Sequence, residues 1–162
     1  MNSKLAILAI FFTTSAFAAG EHAGSHDEFA VGTPGNASDA ARTVEVELTE
    51  TEDGQMVFKP DSVDVKRGET IRFMLHNTGE LEHEFVLGKH EKLMDHKKEM
   101  MSQMDMKHDD PNAAFLAPGA KAELVWTFTN SGDFQFACLI PGHFESGMVG
   151  ALVVTEDTAE TN

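Results

Sequence analysis

The feature that most constrains this chain is a strict two-residue alternation that recurs in short runs, each closed by a turn. Val44, Val46 and Leu48 alternate with Glu45, Glu47 and Thr49, and Val63 with Val65 across Asp64. Ile71, Phe73 and Leu75 follow, then Ala122, Leu124, Trp126 and Phe128, and finally Phe134, Phe136 and Cys138. A period of two puts each apolar set on one face of a strand, and a helix cannot use it. Arg67-Gly68, Asn77-Thr78-Gly79 and Asn130-Ser131-Gly132-Asp133 supply the turns between runs. Several short half-buried strands at this spacing predict an all-β domain, a sandwich or barrel.

Around that core the chain divides by composition. Lys4, the apolar run "LAILAIFF" and the small-x-small site Ala16-Phe17-Ala18 read as an export signal over residues 1–18, too short to span a bilayer. Residues 19–42 are rich in Gly, Ala, Ser and Asp without an apolar period, which predicts a flexible leader. The domain is expected over 43–155, with a polar tail at 156–162. No second long apolar stretch exists, so no membrane span is placed. With 27 acidic against 12 basic residues and a formal net charge of −15, nucleic acid is a poor partner. Such a field attracts cations or a basic partner surface instead.

An exported protein meets an oxidising compartment, yet a single cysteine cannot form an internal disulfide. Cys138 is therefore a reactive group, an intermolecular bridge, a metal ligand or a buried small apolar residue. Its strand phase turns it toward the core beside Phe134 and Phe136. His143 follows five positions later and Met148 five after that, in "CLIPGHFESGM". A thiolate with an imidazole suits zinc or copper, whereas a thioether has little to offer zinc and suits Cu(I). One more histidine would complete a His₂Cys plane with a weak axial Met. His83 in "LEHEF", opening a strand after a turn, is the candidate. Taken singly, Cys138 and Met148 fit core packing better than a ligand role, and only jointly with His83 and the sandwich pattern do they point to a metal; His76 reads as structural or surface.

With His83 and the C-x₄-H-x₄-M of Cys138, His143 and Met148, the chain resembles the cupredoxins, the single-domain blue copper proteins. "FKPDSVDVKRGETIRF" is similar to the paired strands that precede the first ligand there. The resemblance implies a Greek-key β-sandwich holding one type 1 copper that cycles between Cu(I) and Cu(II). It assigns Cys138 as thiolate, His83 and His143 as imidazoles and Met148 as axial ligand. It also implies a carrier or buffer of copper and not an enzyme, since an oxidase or nitrite reductase needs further clustered histidines and the chain has no His-x-His pair. One departure is Glu84, directly after His83, where many members carry Asn or Ser to tie the ligand loops together.

Residues 88–118 form an insertion of a different kind. Residues 89–107 lack Gly, Pro and β-branched residues, which predicts a helix, and Asp109-Asp110-Pro111 stops it. Met94, Met100, Met101, Met104 and Met106, with His90, His96 and His108, give this segment soft and imidazole donors. They read either as packing against the sheet or as a second copper-loading surface for additional copper ions. Two functions compete: periplasmic copper homeostasis and tolerance, with copper ions and a copper-handling protein as partners and the insertion either loading copper or only packing, and a plain soluble electron carrier that meets a basic redox partner.

Overall fold

A computed structural model of the chain describes residues 29–102 and 110–156. The export signal expected at 1–18 lies outside them, as do Met104, Met106, His108 and the end of the tail. Ten strands and one α-helix appear among the described residues. They are β1 (Thr33–Pro34), β2 (Arg42–Glu50), β3 (Met56–Lys59), β4 (Ser62–Lys66), β5 (Thr70–Asn77), β6 (His83–Gly88), α1 (His90–Ser102), β7 (Ala113–Leu116), β8 (Lys121–Thr127), β9 (Gly132–Ala137) and β10 (Val149–Thr155). They make two five-stranded sheets, in the orders β1-β8-β5-β2-β3 and β4-β10-β9-β6-β7. The pairs β2–β5 and β4–β10 are parallel and the others antiparallel. This is the β-sandwich with one helical insertion that the alternation and the resemblance predict.

The apolar set of each run faces the partner sheet. Val46, Leu48, Ile71, Phe73, Leu75 and Trp126 from the first sheet meet Phe85, Leu87, Phe134, Phe136 and Leu152 from the second, all buried. Phe85 stacks on Phe136 at 5.3 Å, and Phe58 meets both edge-on. Such offset and edge contacts favour aromatic pairs beyond the area they bury.

Three local results differ from the sequence reading. The expected leader is packed from Phe29 onward: Val31 is fully buried, Phe29 lies 5.8 Å from the Trp126 ring, and Thr33–Pro34 pairs with Thr127 and Trp126. Its low apolar content hid this, since one valine and one phenylalanine suffice to pin a strand this short. The expected insertion ends in a true strand, because β7 pairs with β6 from His83↔Leu116 to Val86↔Ala113. The third concerns β6, where all six residues are buried, Glu84 included. Its outer face lies under α1 and the 138–148 loop, so the polar side that alternation normally leaves in water is covered here. The helix occupies His90–Ser102, within the 89–107 expected. No helix among the described residues is long and apolar enough to cross a membrane.

Candidate metal centre

Register places the chemistry at one end of the sandwich. β6 and β9 run antiparallel with Val86 opposite Ala137, so the start of β6 and the end of β9 lie together. His83 opens β6, and Cys138 follows the last residue of β9. The ladder continues one step past the strand, since the Cys138 N–H donates to the Met148 carbonyl at 3.1 Å. Residues 138–148 then fold back on themselves. The His143 N–H donates to Ile140 O at 3.0 Å, and the Met148 N–H to His143 O at 3.1 Å. Gly142 and Gly147 take φ of +89° and +99°, a region that side chains disfavour, and this lets an eleven-residue loop close so tightly.

The loop brings His143 against the other two. His143 Nδ1 lies 3.2 Å from His83 Nδ1 and 3.4 Å from Cys138 Sγ, and the three donor atoms all fall within 4.8 Å of one another. His83 and Cys138 are fully buried, while His143 keeps 8% of its surface exposed. Among the described residues, no other three His, Cys, Asp or Glu side chains converge in this way. Met148, also fully buried, belongs to the same core cluster as Cys138.

Burial sets the electrostatics. It pushes the Cys138 thiol up to about 12, against the opposing pull of the Glu84 and Ile140 N–H groups, and Glu84's charge pushes the same way as burial. Burial lowers the His143 imidazole, with His83 adding to the effect and Glu50 opposing it. Both leave a neutral, water-poor donor set that becomes far more favourable when a cation takes the thiol proton's place. The separations also suit a shared ion, because metal–nitrogen and metal–sulfur bonds of about 2.0–2.3 Å bridge donors that sit a little over 3 Å apart.

Two carboxylates support the cluster, and sequence reading missed both roles. Glu84 donates its backbone N–H to Cys138 Sγ at 3.3 Å, while its side-chain Oε2 accepts from the Leu139 N–H at 3.1 Å. It thus joins the β6 start to the ligand loop, the tie that sequence reading expects of Asn or Ser at that place. Burial raises its carboxyl to about 7, with Asp110 adding to the rise and the Leu139 N–H opposing it. Glu50, at the end of β2, accepts from His83 Nε2 at 2.8 Å. Burial alone would raise the Glu50 carboxyl, but donors from Glu80, Leu81 and His83 outweigh it and hold it below the usual carboxylate value. Neither could be found by spacing, because each partner lies dozens of residues away.

The insertion donors are placed differently. His90 Nδ1 is 3.0 Å from Gln135 Oε1, and Met94 packs with Leu93, Val86, Ala137 and Leu139. His96 is half-buried on α1 and Met101 is 59% exposed.

Residues 44–155 match the family of copper binding proteins described as the plastocyanin/azurin family. The chain belongs to this family. As a cupredoxin it carries a His/Cys/His cluster capable of coordinating a single copper ion, and membership is that of electron-carrying proteins and not of catalysts. It is 49% identical over 158 residues to the copper-resistant cuproprotein CopI of Rubrivivax gelatinosus, covering 93% of each chain. It is 40% identical over 183 residues to the protein of that name from Pseudomonas aeruginosa, covering 95% of this chain and 96% of the other. Auracyanin B superposes with a TM-score of 0.62 at 24% identity, covering 76% of this chain and 96% of that one, a likeness of fold.

Proposed function

We propose that the protein is an exported cupredoxin of copper tolerance, in which Cys138, His83 and His143 would hold one copper in a type 1 site and Met148 would supply a weaker fourth donor. The observation that carries this reading is the buried convergence of His83, Cys138 and His143. Thiolate and imidazoles suit copper, and the Met148 thioether, in the same buried core cluster as Cys138, would favour the softer Cu(I), so the four groups together would suit both oxidation states. When bound, copper supplies one-electron exchange. The chain's own part is to exclude water and to hold the donors in one geometry, so that little rearrangement accompanies the change of charge. The two CopI relatives, named as copper-resistant, support tolerance as the role. The apolar run and Ala16-Phe17-Ala18 support export to the periplasm.

The test is direct. The mature chain with Cu(II) should turn intensely coloured from sulfur-to-copper charge transfer, and Cys138→Ser should abolish the colour; a colourless wild-type complex overturns the site. A strain lacking the protein should then lose growth in excess copper, and Cys138→Ser should not restore it. Unchanged growth would leave a plain electron carrier, in which the acidic surface steers a basic partner.

A further inference from the structure

Behind His83, on the side of the ring away from Nδ1, the structure builds a fixed seat for one carboxylate. Glu50 Oε1 accepts from His83 Nε2 at 2.8 Å and from the Leu81 N–H at 3.0 Å, and Oε2 accepts from the Glu80 N–H at 2.9 Å. A Cβ at Gly79 would lie 2.3 Å from Oε2, so the carboxylate rests on bare backbone that no other residue would leave open. The turn is itself pinned by Asn77, whose amide donates to Leu81 O at 2.7 Å and to Leu116 O at 2.8 Å, and whose Oδ1 accepts from the Gly79 N–H at 2.9 Å. An ionised carboxylate can only accept. The hydrogen on the His83 ring must therefore sit on Nε2, which leaves Nδ1 as a lone pair facing His143 and Cys138.

We propose that Glu50 is a positioning residue of the copper centre: it locks His83 in the Nε2–H tautomer and, by drawing on that hydrogen, makes Nδ1 a stronger donor that favours Cu(II) over Cu(I). The inference rests on the copper reading above. A backbone carbonyl at Nε2 would fix the tautomer equally well, but only a full negative charge polarises the ring strongly. The site thereby gains a lever on its potential that neither the ligand set nor the loop length reveals.

Glu50→Gln in the full chain is the decisive variant, because the amide oxygen can still accept from His83 Nε2 while the charge is gone. Loss of a carboxylate behind a ligating histidine typically weakens metal affinity by about 10–100-fold. Here the loss should fall mainly on Cu(II), and each tenfold loss relative to Cu(I) raises the potential by about 59 mV. Gly79→Ala, which displaces the carboxylate without altering its charge, should shift the potential in the same direction. Val154→Ala, a core truncation in β10 that touches neither Glu50 nor the cluster, should lower stability and leave the potential in place. A coloured Glu50→Gln protein with wild-type potential overturns the proposal, and so does a Val154→Ala shift of equal size. The metal-free protein separates this failure from failure of the copper reading. Nitrogen NMR of the His83 ring in the metal-free protein should show hydrogen on Nε2 in wild type, with the Nε2 signal shifted in Glu50→Gln as the charge behind it is lost; hydrogen on Nδ1 in wild type refutes Glu50's role whatever the colour test returns.

Discussion

Leu93→Ala tests what holds the inserted helix to the copper end of the sandwich. Leu93 is 3% exposed, the one leucine of α1, and it sits on Val86, Ala137 and Leu139 with its methyl groups over Gly88. Removing about three buried methyl and methylene groups costs about 2–3 kcal/mol in transfer alone, at ~0.8 kcal/mol each. An unrelaxed cavity would carry the cost toward the upper end of the Leu→Ala range, about 5 kcal/mol. The second anchor is weaker: Lys97 pairs with Glu145, which is exposed and so well screened by solvent, and lies 5.1 Å above the Phe144 ring. A helix of thirteen residues is marginal alone, so α1 should detach instead of surviving over an empty cavity. A loss of 2–3 kcal/mol corresponds to amide exchange about 30–150-fold faster across α1. Hydrogen exchange should show that acceleration, and urea unfolding of the metal-free protein should show a loss no larger than the docking free energy of the helix. The copper charge-transfer band should survive, because the sheet ends and not the helix carry the donors. Unchanged exchange in α1, or loss of the band, would refute the anchoring argument.

Three further outcomes follow from particular contacts. Asn77→Ala strips three hydrogen bonds from a fully buried amide and takes one donor from each of the Leu81 and Leu116 carbonyls, so it should cost about 2–4 kcal/mol in urea unfolding. Copper uptake near pH 7 should release about one proton per ion into a weakly buffered solution, because the Cys138 thiol, raised to about 12 by burial, must ionise to bind. The sign is then fixed: affinity falls as pH falls, and uptake without proton release would mean that sulfur is not the ligand. Met94→Leu should leave the number of Cu(I) ions bound unchanged, since Met94 packs within the Leu93 cluster; the loss of one equivalent would make it a ligand.

The sandwich was legible because its strands face water on one side and core on the other, which writes the fold into the sequence as alternation. Cys138 and His143 were legible as a pair because they share one loop, and His83 because it opens a strand that could end beside theirs. What stayed hidden was whatever depends on a third layer. β6 lies under α1 and the ligand loop, so Glu84 is buried where alternation placed it outside, and only the folded chain shows its carboxyl reaching Leu139, 55 residues away. Glu50 reads as one more acidic residue before a turn, yet its partner lies 33 residues on. β1 was masked by the low apolar content of its surroundings, although a single buried valine and its pairing with β8 hold it. Pairing between distant segments leaves no periodic trace, and those contacts are the ones that tune the centre.

The ligand loop is fixed from both sheets, which explains how one geometry can serve two oxidation states. Cys138 and Met148 extend the β9–β10 ladder of the second sheet, while the Ser146 carbonyl accepts from the Met56 N–H of β3, in the first sheet, at 3.1 Å. His83 is gripped from behind by Glu50, also of the first sheet, and Glu84, next to it in the chain, ties the start of β6 to the loop at Leu139. The two sheets that carry these anchors meet at the Phe58–Phe85–Phe136 contacts, which sliding of one sheet over the other would break. Close-packed interiors resist such sliding. The helix adds a different constraint. It runs from His90, beside Gln135, to Lys97, beside Glu145, so its last turn with exposed Met101 lies past the flank of the copper loop and not at the far pole. Rigidity at the donors and an insertion anchored on their loop thus arise from one arrangement: a β6 covered on both faces, with His83 at one end and the helix leaving from the other.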